Sequence, residues 1–448
     1  MKKKIAGLLV ASMSVMLFGG CTNAGANASE TDVKKKETSK STGTEQTESE
    51  VTLTIAARGG THVDVINAVK DEFEKENNCK IEVLGLESDD LKQKISLDAA
   101  NKEGAYDVVM IDDPWITEFC ENGVLLNLTE NGYTDDSDFV TKSLDVGKYP
   151  YAEGDTFALP FAGNVTMLFY NEDVLSAINE EVPTSWESVY NVAKKAKEAG
   201  YLGYVVRGQQ GNPIVGDYLP LLWAYGGDIF DKDMNCTVDS DEAKKALEMY
   251  IKLADTGANY EKDDIVSSVS DGDAAMSLGW PSWYISNGES KSGYAAIPNK
   301  ASDSSKAYSA GVIGNWLMGV TANSKNTDLS VKLLEYLTSA DTQITAADAG
   351  AVPTRTSVFD NEELVAKYPY YTTLKEATEQ SAVRPRTPLW SEVEQAYGIE
   401  LSNALAGTKT VDDALKDAKT AIEKIFTKSG NYECKYYKQY YKSNYLIM

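Results

Sequence analysis

From Val51 onward the chain alternates between two apolar patterns. Short runs rich in β-branched residues, VTLTIA at 51–56 and KIEVLGL at 80–86, read as strands. YDVVMI at 106–111 is a continuous apolar run of the kind a parallel sheet buries on both faces. Between them Val65, Ile66, Val69 and Phe73 recur at helical spacing, and 89–100 forms the next helix. Strand and helix in alternation predict an α/β fold. The pattern resumes with a strand at 201–206, helices at 218–225 and 241–255, a strand at 274–278, short apolar runs at 293–297 and 310–313, and a strand at 316–320. Helices are then expected at 328–338, 342–349, 362–368, 371–380, 390–406 and 411–426, with no internal repeat.

One stretch interrupts this regularity. In DGDAAMSLGWPSWY, 271–284, the apolar strand runs into Gly279, and Trp280 and Trp283 flank a proline. Pro281 lacks a backbone donor and stops regular structure, so both tryptophans are expected on a loop at the strand end. A tryptophan face suits the C–H face of a sugar ring; alternatively both rings plug an apolar corner.

The ends of the chain are different. MKKKIAGLLVASMSVMLFGGC has three lysines, an apolar run and small residues before Cys21, and reads as a signal peptide over 1–20. Gly19-Gly20-Cys21 resembles a bacterial lipobox, which implies lipidation at Cys21 and an anchor of two acyl chains. Residues 21–50 are the tether: Thr22–Glu50 has too few apolar residues to fold and, if flexible, spans about 30 Å. At the far end, 428–448 is a tyrosine-rich tail without a legible role.

Charge narrows the partners. Taking the leader's three lysines from 43 basic residues, against 68 acids, leaves a mature net charge of −28, which disfavours nucleic acid and anionic lipid. The remaining cysteines, Cys79, Cys120, Cys236 and Cys434, show no CxxC spacing, and there is a single histidine. No metal site or cofactor is expected.

Several segments in order resemble the extracellular solute-binding proteins of sugar ABC transporters, the maltose-binding-protein family. They include YDVVMIDDPWITEFCENGVLLNLTE at 106–130, ALPFAGNVTMLFYNEDVL at 158–175, PTSWESVYNVAKKAK at 183–197 and LWAYGGDIFD at 222–231. DGDAAMSLGWPSW, GNWLMGVTANSKNTDLSVKLLEYLTS at 314–339, RPRTPLW at 384–390 and TVDDALKDAKTAIEKI at 410–425 complete the series. The resemblance implies a two-lobed, type II periplasmic-binding-protein-like fold with a ligand cleft and three crossings, expected near 158–164, 306–311 and 352–360. Lobe one is then 51–160 with 311–355, and lobe two is 161–310 with 356–427. The resemblance further implies a monomeric, non-enzymatic receptor outside the cytoplasm that passes a carbohydrate to permease subunits.

Candidate ligand contacts follow. Asp112, Asp113 and Trp115 stand at the carboxyl end of a buried strand, where open α/β sheets bind ligands, and carboxylates match paired sugar hydroxyls. Capping of the turn at Pro114 is the alternative for the acids, and surface filling for Trp115. Asn164 follows the first crossing. The glycine- and amide-rich loop 207–217 offers Gln209, Gln210, Asn212 and Asp217. Trp316 matches a cleft tryptophan of close relatives, and Arg386 in RPRTP is a candidate clamp, with Arg384 able to form a structural salt bridge instead. Arg58 and His62 could close the site from the other lobe, although a lone histidine is more often solvent-facing. Trp223 is read as core and Trp186 as part of a helix start. Two rival readings stand beside the receptor: a glycoside hydrolase using Asp112 or Asp113 with a second acid, and a receptor for a polyamine or an anion. The mixed amides, acids and tryptophans favour a neutral polyol.

Overall fold

The computed structural model describes residues 51–284 and 291–429. The leader, Cys21, the tether, Cys434 and the tail beyond 429 lie outside them. Two sheets organise the body. In the first, Cys79–Leu86, Val51–Arg58 and Val108–Asp112 run parallel, and Trp316–Val320 enters antiparallel between Val108–Asp112 and Ala158–Ala162. Val108 to Ile111 are completely buried, as their unbroken apolar run requires. In the second, the order is Ser292–Ala295, Met167–Asn171, Ala274–Gly279 and Leu202–Val205, with only the last two strands parallel.

Helices cover the sheets with their apolar faces. Trp186–Glu198 begins with a capping box, Ser185 and Ser188 bonding reciprocally, and buries Trp186 at its start. Trp223 is fully buried and stacks on Tyr308 at 5.8 Å, which fixes it as core. Trp390–Leu405 and Val411–Lys428 pack on each other and on the helices Asn212–Tyr225 and Asp241–Ala254. No helix among the described residues is long and apolar enough to cross a membrane.

The chain passes between the sheets in extended segments that bond to one another. Thr166 N–H donates to the Val312 carbonyl, Gly314 N–H to that of Asn164, and Ile313 N–H to that of Ala382. The first two crossings thus lie at 163–166 and 311–315, slightly past the expected positions. The third segment alongside them is at 381–384, not 352–360. Residues 352–354 bond back to Gly163 and Val140, and the short helices that follow bury Val358, Leu364, Tyr371 and Leu374 in one cluster with Val140 and Val165. Apolar spacing shows that these helices exist, but not which lobe they lean on.

Candidate ligand cleft

A cavity of about 700 Å³ opens between the carboxyl ends of the two sheets. On the first side, Val51–Arg58 ends at Arg58, and Gly60, at φ 77°, turns the chain into the helix Thr61–Asn77. A side chain at that backbone angle would be strained. Trp316 pairs directly with Asp112 on the neighbouring strand. This register brings the Trp316 ring edge-on to Trp115 at 5.9 Å and within 5.7 Å of the His62 ring. His62 therefore stands in the cavity wall, and burial, with Arg58 and Lys262 adding repulsion, pushes its pKa down to about 4. It is neutral at pH 7.

On the second side, Leu202–Val205 leads to Arg207, and Gly211, at φ 82°, starts the helix Asn212–Tyr225. Pro213 sits in its first turn, where a missing N–H costs nothing, so the expected loop 207–217 is half helix. Ala274–Gly279 runs to Trp280 and then to one helical turn, Pro281–Tyr284, rather than a loop: Pro281 begins regular structure here instead of stopping it. Trp280 lies against Gly314 so closely that a Cβ there would come within 2.4 Å of the ring. Asn164 Nδ2 donates to Ser282 Oγ at 3.0 Å, while its buried Oδ1 has no protein partner.

Ten of the fourteen candidates line this cavity: Arg58, His62, Asp112, Trp115, Asn164, Gln210, Asn212, Trp280, Trp283 and Trp316. The other four do not reach it. Asp113 is fully buried; Arg384 Nη2 donates to it at 3.0 Å and Arg386 Nη2 at 2.7 Å, with Arg386 Nη1 on its carbonyl oxygen at 2.5 Å. Arg386 is thus a clasp inside the protein and not a ligand clamp. Asp217 accepts the Arg207 backbone N–H at 2.9 Å, and burial pushes its pKa up to about 7. Gln209 donates to the Tyr260 carbonyl at 2.9 Å and secures its own loop. Asp112 does not cap the turn that follows it; its carboxylate takes Arg384 at 3.1 Å. Burial raises its pKa, against the pull of Arg384.

The wall also holds groups the sequence did not single out. Lys92 bridges Glu118 at 2.7 Å and Ser391 at 2.6 Å. Glu394 accepts from Asn212 Nδ2 at 3.0 Å, and burial, with Asp112 adding to it, lifts its pKa to about 7. Arg207 lies over Trp283 at 5.2 Å, and Lys262 completes the rim. Arg207 had a visible signal: it follows its strand as Arg58 follows VTLTIA. Glu394 and Lys92 had none, being single polar positions on long helices.

A two-lobed α/β body with its cavity between the sheets defines a solute receptor of the binding-protein class. The chain belongs to the bacterial extracellular solute-binding protein family, whose model matches residues 68–373. A binding protein of Brucella abortus is 26% identical over 405 residues, covering 85% of this chain and 94% of that one. Among solved structures, the maltose-bound MalE3 of T. maritima superposes with a TM-score of 0.75 at 24% identity, covering 84% of this chain and 100% of that one. The GacH receptor of Streptomyces glaucescens, solved unliganded and with acarbose, gives 0.75 at 25% identity, covering 85% and 99%. These relatives are binding proteins or receptors, and the family match makes this chain a solute-binding protein.

Proposed function

We propose that the protein is a membrane-anchored receptor that captures a carbohydrate, an oligosaccharide, between its lobes and delivers it to the permease of its transporter. The observation that carries this reading is the wall itself. Four tryptophans, Trp115, Trp280, Trp283 and Trp316, come from both sides of one cavity and stand among amides and carboxylates. Flat apolar faces interleaved with fixed hydrogen-bonding groups match a sugar ring, apolar on its C–H face and polar at its edge. The volume falls within the roughly 300–1,000 Å³ of small-molecule sites. Maltose in MalE3 and acarbose in GacH support the same class of ligand.

In this reading the lobes join at 163–166, 311–315 and 381–384, which moves 356–380 from lobe two to lobe one, and closure is a hinge motion about the three bonded segments. Cys21 carries the lipid anchor, 22–50 is the tether, and the receptor works as a monomer. Calorimetry of the protein against neutral and acidic oligosaccharides, amino acids and polyamines tests the ligand class. Saturable binding to a sugar series, with the sugar recovered intact, is expected; binding to amino acids or polyamines alone overturns the reading, and cleavage of the sugar restores the hydrolase. For the anchor, Cys21→Ala is expected to move the protein from the membrane fraction to the soluble fraction.

A further inference from the structure

The cavity wall carries five cations: Arg58, Lys92, Arg207, Lys262 and Arg384. Against them stand three acids, Asp89, Asp112 and Glu394. The pairing is uneven. Arg384 is matched by Asp112 and Asp113, Lys92 by Glu118, and Arg58 by Glu87 at 2.5 Å on the outer surface. Arg207 has no carboxylate within ion-pair distance among the described residues; its guanidinium lies over Trp283, and Asp217 and Glu394 act on it only from further away. Lys262 reaches only its exposed neighbour Asp263, at 4.0 Å. Glu394, half protonated near neutrality, supplies only part of a charge.

These cations converge. Val206 N–H donates to the Ala258 carbonyl and Tyr260 N–H to that of Val206, and Gly208 N–H donates to Asn259 Oδ1, which sets Arg207 beside the start of the helix Lys262–Ser270. Arg58 approaches from the opposite side, and it and Lys262 both act on His62. The helices beginning at Thr61 and Asn212 also point N-termini with no capping side chain at this region, one from each side. In a chain of net charge −25, leaving cations without an ion-pair partner in this cavity runs against the composition.

We propose that the carbohydrate bears an acidic substituent, a uronic carboxylate or a phosphate ester, received by Arg207 with Lys262 and closed over by Arg58. This rests on the carbohydrate reading and sharpens it, since the cleft residues singled out from sequence alone favoured a neutral polyol. The guanidinium fork matches either anion, and the sugar ring beside it lies on the Trp283 and Trp280 side of the wall.

The test is calorimetry on the protein with matched sets: neutral mono- to tetrasaccharides, the corresponding uronides, and the sugar phosphates. An anionic member binding at least about tenfold tighter than its neutral counterpart is expected, with affinity falling as salt rises. The two anionic arms decide between carboxylate and phosphate. Arg207→Met is expected to collapse that preference by roughly ten- to hundredfold, and Lys262→Gln, on the exposed rim, to lower it several-fold with a shallower salt dependence. A neutral sugar binding as tightly as its acidic partner overturns the inference and leaves the carbohydrate reading intact. Silence in every set overturns both.

Discussion

Arg386 and Arg207 occupy opposite regimes within one molecule. Arg386 is almost completely enclosed and directs two nitrogens at a buried carboxylate, shared with Arg384, and at the carbonyl of the same residue. Arg207 faces the cavity, with an aromatic ring beneath it and no carboxylate at its tip. The first holds together the base of the cleft, and the second is poised for something that arrives. A proline-locked arginine motif is therefore no guide to ligand contact; what decides is whether the partner charge already belongs to the protein.

The sharpest way to break this comparison is to delete both side chains. Arg386→Ala takes one of its two guanidinium partners from the buried Asp113 carboxylate, leaving Arg384 alone, and is expected to cost about 3 kcal/mol of stability, read from denaturant unfolding. Arg207→Ala is expected to cost less than about 1 kcal/mol, because no ion pair is broken. Equal losses would erase the distinction.

Sequence reasoning located the strands well because buried runs such as YDVVMI carry their own signature, and Trp316 and Asp112 fell into the cleft because strand ends define it. It misassigned Arg386 because Asp113, its partner, lies far away in sequence, and no local spacing reports a contact of that separation. It ran the loop from 207 on to Asp217 because GNP reads equally as a turn and as a helix start with proline in the first turn. Arg207 was passed over for its amide neighbours although it stands where Arg58 stands in the other lobe.

The next largest effect lies behind Arg207. Burial lifts the folded pKa of Asp217 to about 7, above the ordinary 3.8, so the folded state holds a proton that the unfolded chain releases. Its contribution to stability is present at low pH and is lost as pH rises from about 4 to about 7. Asp217→Asn keeps an acceptor for the Arg207 N–H and is expected to remove that loss, on the order of 4 kcal/mol at pH 8, read as a flatter plot of unfolding free energy against pH. His62 works in the opposite direction: with a folded pKa of about 4 against 6.5, it loses stability as pH falls through the same window. His62→Gln should therefore make the protein more resistant to acid.

Smaller still is the aromatic support. Trp283→Ala removes the ring beneath Arg207 and is expected to weaken sugar binding by about 1–2 kcal/mol, from lost stacking and a less ordered guanidinium, measured by calorimetry. Gln209→Ala, whose amide bonds only the neighbouring segment at Asn259 and Tyr260, should cost no more than about 1 kcal/mol of stability and leave affinity nearly untouched. A large affinity loss there would return Gln209 to the ligand contacts.

The seven tryptophans divide cleanly between these two settings. Trp186, Trp223 and Trp390 are sealed in the core, while Trp115, Trp280, Trp283 and Trp316 face the cavity. The emission of the chain is therefore the sum of two populations, one indifferent to what fills the cleft and one reporting it. Iodide, drawn toward the uncompensated cations beside Trp283, should quench the second population and spare the first, and caesium should quench it less. An occupant shields the same rings, so the quenchable fraction of the light falls in step with saturation, and the protein reports its own cargo without a label.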